Sequence, residues 1–409
     1  MNSENLKIVI VGHVDHGKST LIGRLLYDTN SLPEGKMEEI ANVCKSLGKE
    51  FEFGYVLDNL EEERDQNVTI DTTQIFFKTN KRNYTIIDAP GHVKFVKNMI
   101  TGASQAEAAI LIIDAKEGLQ EQTKRHSYLL KMLGIKQIIV AINKMDLVNH
   151  DQQRFSNLKN EIIEFLGKID IKPSYIIPVS AREGSFIAKK EEKMIWYKDL
   201  SILSALDEFK VHESNNEKPL RYAVQDVYMY DKRIIAGRVE SGILKQGQKI
   251  IVLPSQEETY VESIERFLKE NVKEAESGEC LGVITKDKVF VDRGYILCDF
   301  DRPAKITNEF EAHIFWMDKE PLKKDERLIL RCSTQEGVCK IKEFKRILDS
   351  STLEKKERKD EIRDREVADV TIVTETPIVV ENFNKIEELG RFVLERLDVC
   401  AGGIITESR

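Results

Sequence analysis

Residues 7–27 read KIVIVGHVDHGKSTLIGRLLY. The apolar run from Ile8 to Val11 predicts a strand, and Ser19 to about Tyr27 predicts a helix. Between them Gly12 and Gly17 bracket four residues and are followed by Lys18 and Ser19. G-x-x-x-x-G-K-S/T leaving a strand and entering a helix is the phosphate-binding loop pattern. The glycines let successive backbone N–H groups turn inward as an anion nest. The new helix adds unpaired N–H groups and the positive end of its dipole. Lys18 brings a mobile positive charge to the β- and γ-phosphates, and Ser19 a hard hydroxyl oxygen for Mg²⁺. Gly12, His13, Val14, Asp15, His16, Gly17, Lys18, Ser19 and Thr20 together form the expected cradle. His13 and His16 read as packing or capping residues, since no other His or Cys lies near enough in sequence to suggest a metal set.

Outward from this loop, apolar runs alternate with amphipathic helical stretches through the first two hundred residues. The strand candidates are KIVIVG, TIDTTQIFF, YTIID, AILIIDA, QIIVAIN and YIIPVS. HVKFVKNMITG and QEQTKRHSYLLKMLG read as helices, the latter closed by Gly134. Such alternation predicts an α/β domain with a mostly parallel sheet and helices on both faces. Ligands then bind at the carboxyl ends of the strands.

The base is chosen at AINKMD, residues 141–146. The Asp146 carboxylate can accept from guanine N1–H and the 2-amino group, which adenine does not offer. Asn143 can meet the opposite edge, and the Lys144 stem can lie along the base plane. VSAREG supplies the Ser180–Ala181 loop, whose backbone can reach guanine O6. The expected nucleotide is GTP. IIDAPGH, residues 86–92, reads as the phosphate sensor. Asp88 suits Mg²⁺ through water, Gly91 offers an N–H to the γ-phosphate, and His92 lies beside the attacking water. In ERDQNVTID, Thr69 can give its hydroxyl to Mg²⁺ and its backbone to the γ-phosphate. The expected catalytic group is therefore His92, Lys18, Thr69 and Gly91, with Ser19, Thr69 and Asp88 around the metal. Losing the γ-phosphate releases both loops, so chemistry becomes a conformational signal.

The chain has 409 residues, 41% hydrophobic and 32% charged, with a net charge of −8. That length predicts more than one domain, and the charge does not favour an extended DNA-binding surface. Its six cysteines form no CxxC pair and read as free thiols. No leader or bilayer-spanning run is evident, so a cytoplasmic location without a membrane partner is expected. After a polar linker, Glu213 to Lys218, the helical period gives way to short strands separated by Gly and Asp turns. The expected division is a GTP-binding domain at 1–212 and two small β-barrel domains at 213–305 and 306–409. The charged run LEKKERKDEIRDRE, residues 353–366, reads as a solvated loop or short helix.

Taken together, GHVDHGKST, DAPGH, NKMD and SAREG resemble the translation-factor class of P-loop GTPases, which includes elongation factors Tu and 1-alpha. Three stretches resemble, within that class, the GTPase (large) subunit of bacterial sulfate adenylyltransferase. They are the segment containing QTKRHS, KMIWYKDLSILSALDEF, and FWMDKEPLKKDERLILRCST. The resemblance implies that His92 positions the hydrolytic water and that Val14 and Val68 form an apolar gate around it. It also implies GTP hydrolysis driving synthesis of adenosine 5′-phosphosulfate and pyrophosphate from ATP and sulfate. The adenylyl transfer would occur on a separate, smaller catalytic subunit, because the sequence shows no second nucleotide site, and the lack of a second P-loop argues against a fused adenylylsulfate kinase. Two departures stand out. The first switch has Gln66, Asn67 and Val68 before Thr69 where that subunit usually has Arg-Gly-Ile, and the first loop reads His-Val-Asp-His, as in elongation factors. The alternative is a translation GTPase carrying aminoacyl-tRNA to the ribosome. A third reading is a GTP sensor without turnover, which intact Thr69, Gly91 and His92 disfavour. Trp196, Trp316 and Met317 carry family identity and read as packing residues.

Overall fold

The structure, a computed structural model, describes residues 5–32, 34–46, 53–54, 56, 74–87, 106–189, 192–211, 215–229, 231–266 and 269–408. The chain divides into two compact units, Met1–Val211 and His212–Arg409.

In the first unit, strands β1 (Asn5–Gly12), β2 (Gln74–Lys78), β3 (Asn83–Ile87), β4 (Ala108–Asp114), β5 (Gln137–Asn143) and β6 (Tyr175–Pro178) form one sheet. Its order is β2-β3-β1-β4-β5-β6. All neighbours are parallel except β2, which pairs antiparallel with β3. Consecutive residues of β4 are all buried, and so are those of β5 after Gln137, so both faces of the sheet are covered. The chain leaves β1 for β3 on one side and β4 on the other. The crevice beyond the end of β1 is therefore a topological switch point, and residues 12–19 occupy it.

Helices α1 (Lys18–Asp28), α2 (Lys36–Ser46), α3 (Glu121–Met132), α4 (Gln152–Lys168) and α5 (Ile202–Glu208) complete this unit as described. Gly134, at φ 73°, ends α3 as its position in the sequence suggests. Asp151 caps α4 by accepting the Arg154 N–H, and Phe155, Leu158, Ile162 and Phe165 form its buried stripe. The predicted helix at residues 92–102 and the first part of the predicted strand at 69–77 lie outside the described residues.

The turn between β2 and β3 is fastened to the end of α5. Tyr84 Oη and Thr79 Oγ1 donate to Asp207 Oδ1 at 2.5 and 2.9 Å. Arg82 Nη1 donates to the Phe209 carbonyl at 2.7 Å, and the Lys81 ammonium to the Asp207 carbonyl. Burial, then the Asp207 carboxylate beside it, raises the Tyr84 phenol above its ordinary range, so it stays a donor.

The second unit holds two rings of strands. In the first, Lys249–Leu253, Ile296–Asp299, Arg221–Met229, Arg233–Ser241, Cys280–Thr285 and Glu257–Arg266 pair in that order and close on themselves. In the second, Arg327–Cys332, Arg391–Glu395, Val399–Ser408, Lys305–Trp316, Glu366–Val380 and Gln335–Asp349 do the same. Two closed six-stranded barrels result, each filled by inward aliphatic and aromatic side chains such as Tyr222, Val239 and Leu297, or Phe310, Trp316 and Phe392. The charged run at 353–366 is not a helix. It contains the two-residue strands Lys355–Lys356 and Glu361–Ile362, because Ile362 is fully buried in the barrel core and Arg358 pairs with Glu366.

A separate apolar cluster joins the barrels: Ala223, Leu253, Ile296 and Cys298 meet Val379, Ile386 and Leu389. Beside it Arg221, 3% exposed, donates to Glu381 through Nε at 2.9 Å and to the Leu220 and Arg302 carbonyls at 2.7 and 2.9 Å. All six cysteines are free, and all but Cys280 are buried.

At the same junction Glu240 and Glu388 approach each other. Burial, then Glu388, raises the Glu240 carboxyl to about 7 against the opposing pull of Arg238. Burial, with Glu387 adding to it, raises Glu388 despite Lys218 and Arg391, and Asn215 Nδ2 donates to its Oε1 at 3.2 Å. The folded state thus holds protons that the unfolded chain releases at carboxylate pKa values near 4.3. Stability from this pair is full below that value and is lost as pH rises through about 7. We expect a higher urea midpoint for the second unit at pH 5 than at pH 8, and a flatter dependence in Glu240→Gln. An unchanged slope in that variant rules the assignment out.

Candidate functional site

Strand β1 delivers the chain to Gly12 against β4. A Cβ there would lie 2.4 Å from Ile112 Cγ2 and 2.5 Å from its carbonyl oxygen, so no side chain fits. Asp15 (φ 62°) and Gly17 (φ 90°) are left-handed, which turns the backbone into a concave loop. Gly17 precedes α1, whose first turn carries neither a side-chain cap nor an acidic residue. The dipole at such a helix start favours an anionic ligand. Lys18, Ser19 and Thr20 open that helix, and Val14 stands 47% exposed on the loop.

The two loop histidines are packing residues, as the sequence suggests. His16 is fully buried, with its ring edge-on to His13. Its Nδ1 accepts the Asp114 N–H at 3.3 Å, and its Nε2 faces Glu117 Oε2 at 3.3 Å. Burial lowers its pKa and keeps the ring neutral. His126 on α3 lies beneath the same loop against the Gly12 backbone. Burial, with Lys18 and His13 nearby, pushes it down to about 3. His16 and His126 thus support the phosphate loop without adding charge.

At the base end, Lys144 (φ 61°) turns the chain after β5 into the short helical turn Met145–Val148. Asn143 joins both halves of the site: Nδ2 donates to the His16 carbonyl at 2.9 Å, and Oδ1 accepts the Ala181 N–H at 2.9 Å. In this structure the amide fixes one loop against the other. Asp146 Oδ1 accepts the Ser180 hydroxyl at 2.6 Å, which aims the carboxylate. We expect Asn143→Ala, which strands a buried carbonyl and a buried N–H, to lose about 2 kcal/mol of first-unit stability. Urea unfolding measures this, and a loss below about 0.5 kcal/mol would show that the bridge is dispensable.

The loop Asp114–Gly118 was not anticipated from the sequence. Asp114, 2% exposed, pairs its Oδ2 with Lys144 Nζ at 2.7 Å and accepts the Lys116 and Glu117 N–H groups at 2.7 and 3.2 Å. Burial alone would raise its pKa, but Lys144 and those backbone donors hold it below the usual carboxylate range. Behind Ser180–Ala181, Glu183 pairs with His150 at 3.1 Å and Lys193 at 2.8 Å. Trp196 donates to the His150 carbonyl at 3.1 Å and packs on Phe155. In the second barrel Trp316 is fully buried, its Nε1 donating to the Glu320 carbonyl at 3.0 Å, and Met317 is 3% exposed. All three are packing residues.

Val68, Thr69, Asp88, Gly91 and His92 lie outside the described residues. Among the described residues no cluster of three or more His, Cys, Asp or Glu could hold a metal ion. Ser19, a hydroxyl in the first turn of α1 beside the loop, is the right donor type for Mg²⁺. No helix among the described residues is long and apolar enough to cross a membrane.

Residues 3–226 match the family described as elongation factor Tu GTP binding domain. Residues 232–298 match elongation factor Tu domain 2, and residues 309–406 match the GTP-eEF1A C-terminal domain-like family. Elongation factors 1-alpha of Thermoplasma volcanium and Thermoplasma acidophilum are each 39% identical across 98% of this chain and 97% of theirs. A crystal structure of Sup35 complexed with GMPPNP covers all of this chain and 95% of its own at 23% identity and a TM-score of 0.45. The resemblance to a sulfate adenylyltransferase subunit finds no support in these matches.

Proposed function

We propose that this chain, which belongs to the elongation factor Tu and 1-alpha family of GTPases, works as a translation elongation GTPase that delivers aminoacyl-tRNA to the ribosome. The observation that carries the reading is the likeness to elongation factors 1-alpha along nearly the whole chain, barrels included. The His-Val-Asp-His wording of the phosphate loop agrees with it. The sulfate-activating reading rests on three stretches whose Trp196, Trp316 and Met317 are packing groups here, and none of the matches named above favours it. The domain division at 1–212, 213–305 and 306–409 is retained, with a cytoplasmic location where tRNA and ribosomes are found.

In this reading the loop from Gly12 to Thr20 holds the GTP phosphates, Lys18 offsets their charge, and Asp146 selects guanine, with Ser180 and Ala181 closing its edge. Ser19 and Thr69, with Asp88 through water, would hold Mg²⁺, which would supply charge neutralisation for the phosphates. His92 orients the attacking water, with Val14 and Val68 excluding others, and the Thr69 and Gly91 backbones read whether the γ-phosphate is present. Such a site works by positioning and electrostatics, so turnover alone should be slow, on the order of 10⁻⁴–10⁻² per second. The test is GTP hydrolysis by the purified protein with ribosomes and aminoacyl-tRNA, set against ATP and sulfate with an adenylyltransferase subunit. Stimulation by ribosomes supports the proposal, and stimulation only in the sulfate assay overturns it.

A further inference from the structure

We infer that Asp114 is a positioning residue for the guanine base, and that its loop sets the base and phosphate halves of the site together. This rests on the nucleotide reading above and names a residue that reading does not use. The loop is rigid: Gly118 N–H returns to the Asp114 carbonyl at 2.9 Å, and Ala115 N–H donates to the Asn143 carbonyl at 2.8 Å. Arg154 clamps it from α4, Nε on the Ala115 carbonyl at 2.6 Å and Nη2 on the Lys116 carbonyl at 3.0 Å. On one side it grips Lys144 through the Asp114 carboxylate. On the other the Asp114 N–H donates to His16 Nδ1, and Glu117 Oε2 lies 3.3 Å from His16 Nε2.

The consequence for Lys144 is geometric. Its four-carbon stem is the surface on which a base would lie, and a free ammonium would let the stem sample many rotamers. Asp114 fixes the far end of the stem, and the left-handed Lys144 backbone fixes the near end. The base platform is then formed before the nucleotide arrives, which spares the ordering cost on binding. A pair serving only the fold would leave nucleotide release unchanged once the protein had folded.

The test is a double-mutant cycle on dissociation of fluorescent GDP, with Asp114→Asn, Lys144→Met and both together, all checked for folding by circular dichroism. Each single variant should release GDP about tenfold faster, and the double variant also about tenfold rather than a hundredfold. An unchanged rate in Asp114→Asn, or additive effects, overturns the inference. Should Asp114→Asn not fold, Asp114→Glu decides instead: the carboxylate moves by one methylene, and release must still quicken or the inference fails. A wild-type protein that takes up no GDP strikes the nucleotide reading itself. A failure confined to the cycle strikes Asp114 alone.

Discussion

Asp146→Asn is expected to weaken GDP binding about a thousandfold and to turn the pocket toward xanthine nucleotides. The carboxylate would accept two hydrogen bonds from guanine, each worth about 1.5–3 kcal/mol because the acceptor is charged. Asparagine keeps one acceptor oxygen, so one bond is lost and the guanine 2-amino group is left unsatisfied, which together correspond to roughly 10²–10⁴ in affinity. Asparagine also places an amide donor against the guanine 2-amino group, whereas xanthine offers a carbonyl there. The Ser180 hydroxyl that aims Asp146 can donate equally to the asparagine oxygen, so the exchange need not disturb the loop. Competition titrations with GDP, IDP and XDP measure the effect. IDP, lacking the 2-amino group, should bind the wild type with an intermediate loss. A variant that still prefers GDP removes Asp146 from the base pocket.

The largest expected stability effect lies far from the nucleotide. Arg221→Ala removes a buried guanidinium that binds Glu381 and two carbonyls, and it leaves Glu381 in a half-closed site without its partner. Breaking a buried pair from one side costs about 3–5 kcal/mol. We expect the second unit to unfold at markedly lower urea in this variant, with the first-unit transition unmoved. Arg221→Met with Glu381→Leu should recover much of the loss, since two apolar groups beside the Leu253–Val379 cluster need no ionic partner. A single variant within about 1 kcal/mol of the wild type refutes the assignment.

Much of the site could be read before the fold was known, because its elements are short and local. Gly12, Gly17 and Lys18 lie within seven residues, and each needs only a strand before it and a helix after it. The barrels were readable as classes from their short strands, but their closure was not, since it depends on pairings such as Arg327 with Lys340. The Asp114–Lys144 pair is not legible in the sequence, because the ends of neighbouring parallel strands bring it together, not spacing along the chain. Arg221 and Glu381 are 160 residues apart and could not be paired from composition.

The misleading residues have a physical explanation as well. In the QTKRHS stretch, Thr123, His126 and Ser127 are buried on α3, and His126 supports the Gly12 backbone. They record how this helix packs beneath the phosphate loop, a structural role that by itself points to neither branch.

The fastening of the β2–β3 turn to α5 gives the exit of the first unit a mechanical character. In sequence, β2 follows directly on the stretch bearing Thr69, and β3 runs directly into Asp88. Tension on either strand is carried by Tyr84, Thr79 and Arg82 to Asp207 and Phe209, the last residues before the chain departs at Val211. The tether to the barrels therefore starts from an anchored point, and a tug on β2 or β3 arrives there as load on five bonds rather than dissipating in slack chain.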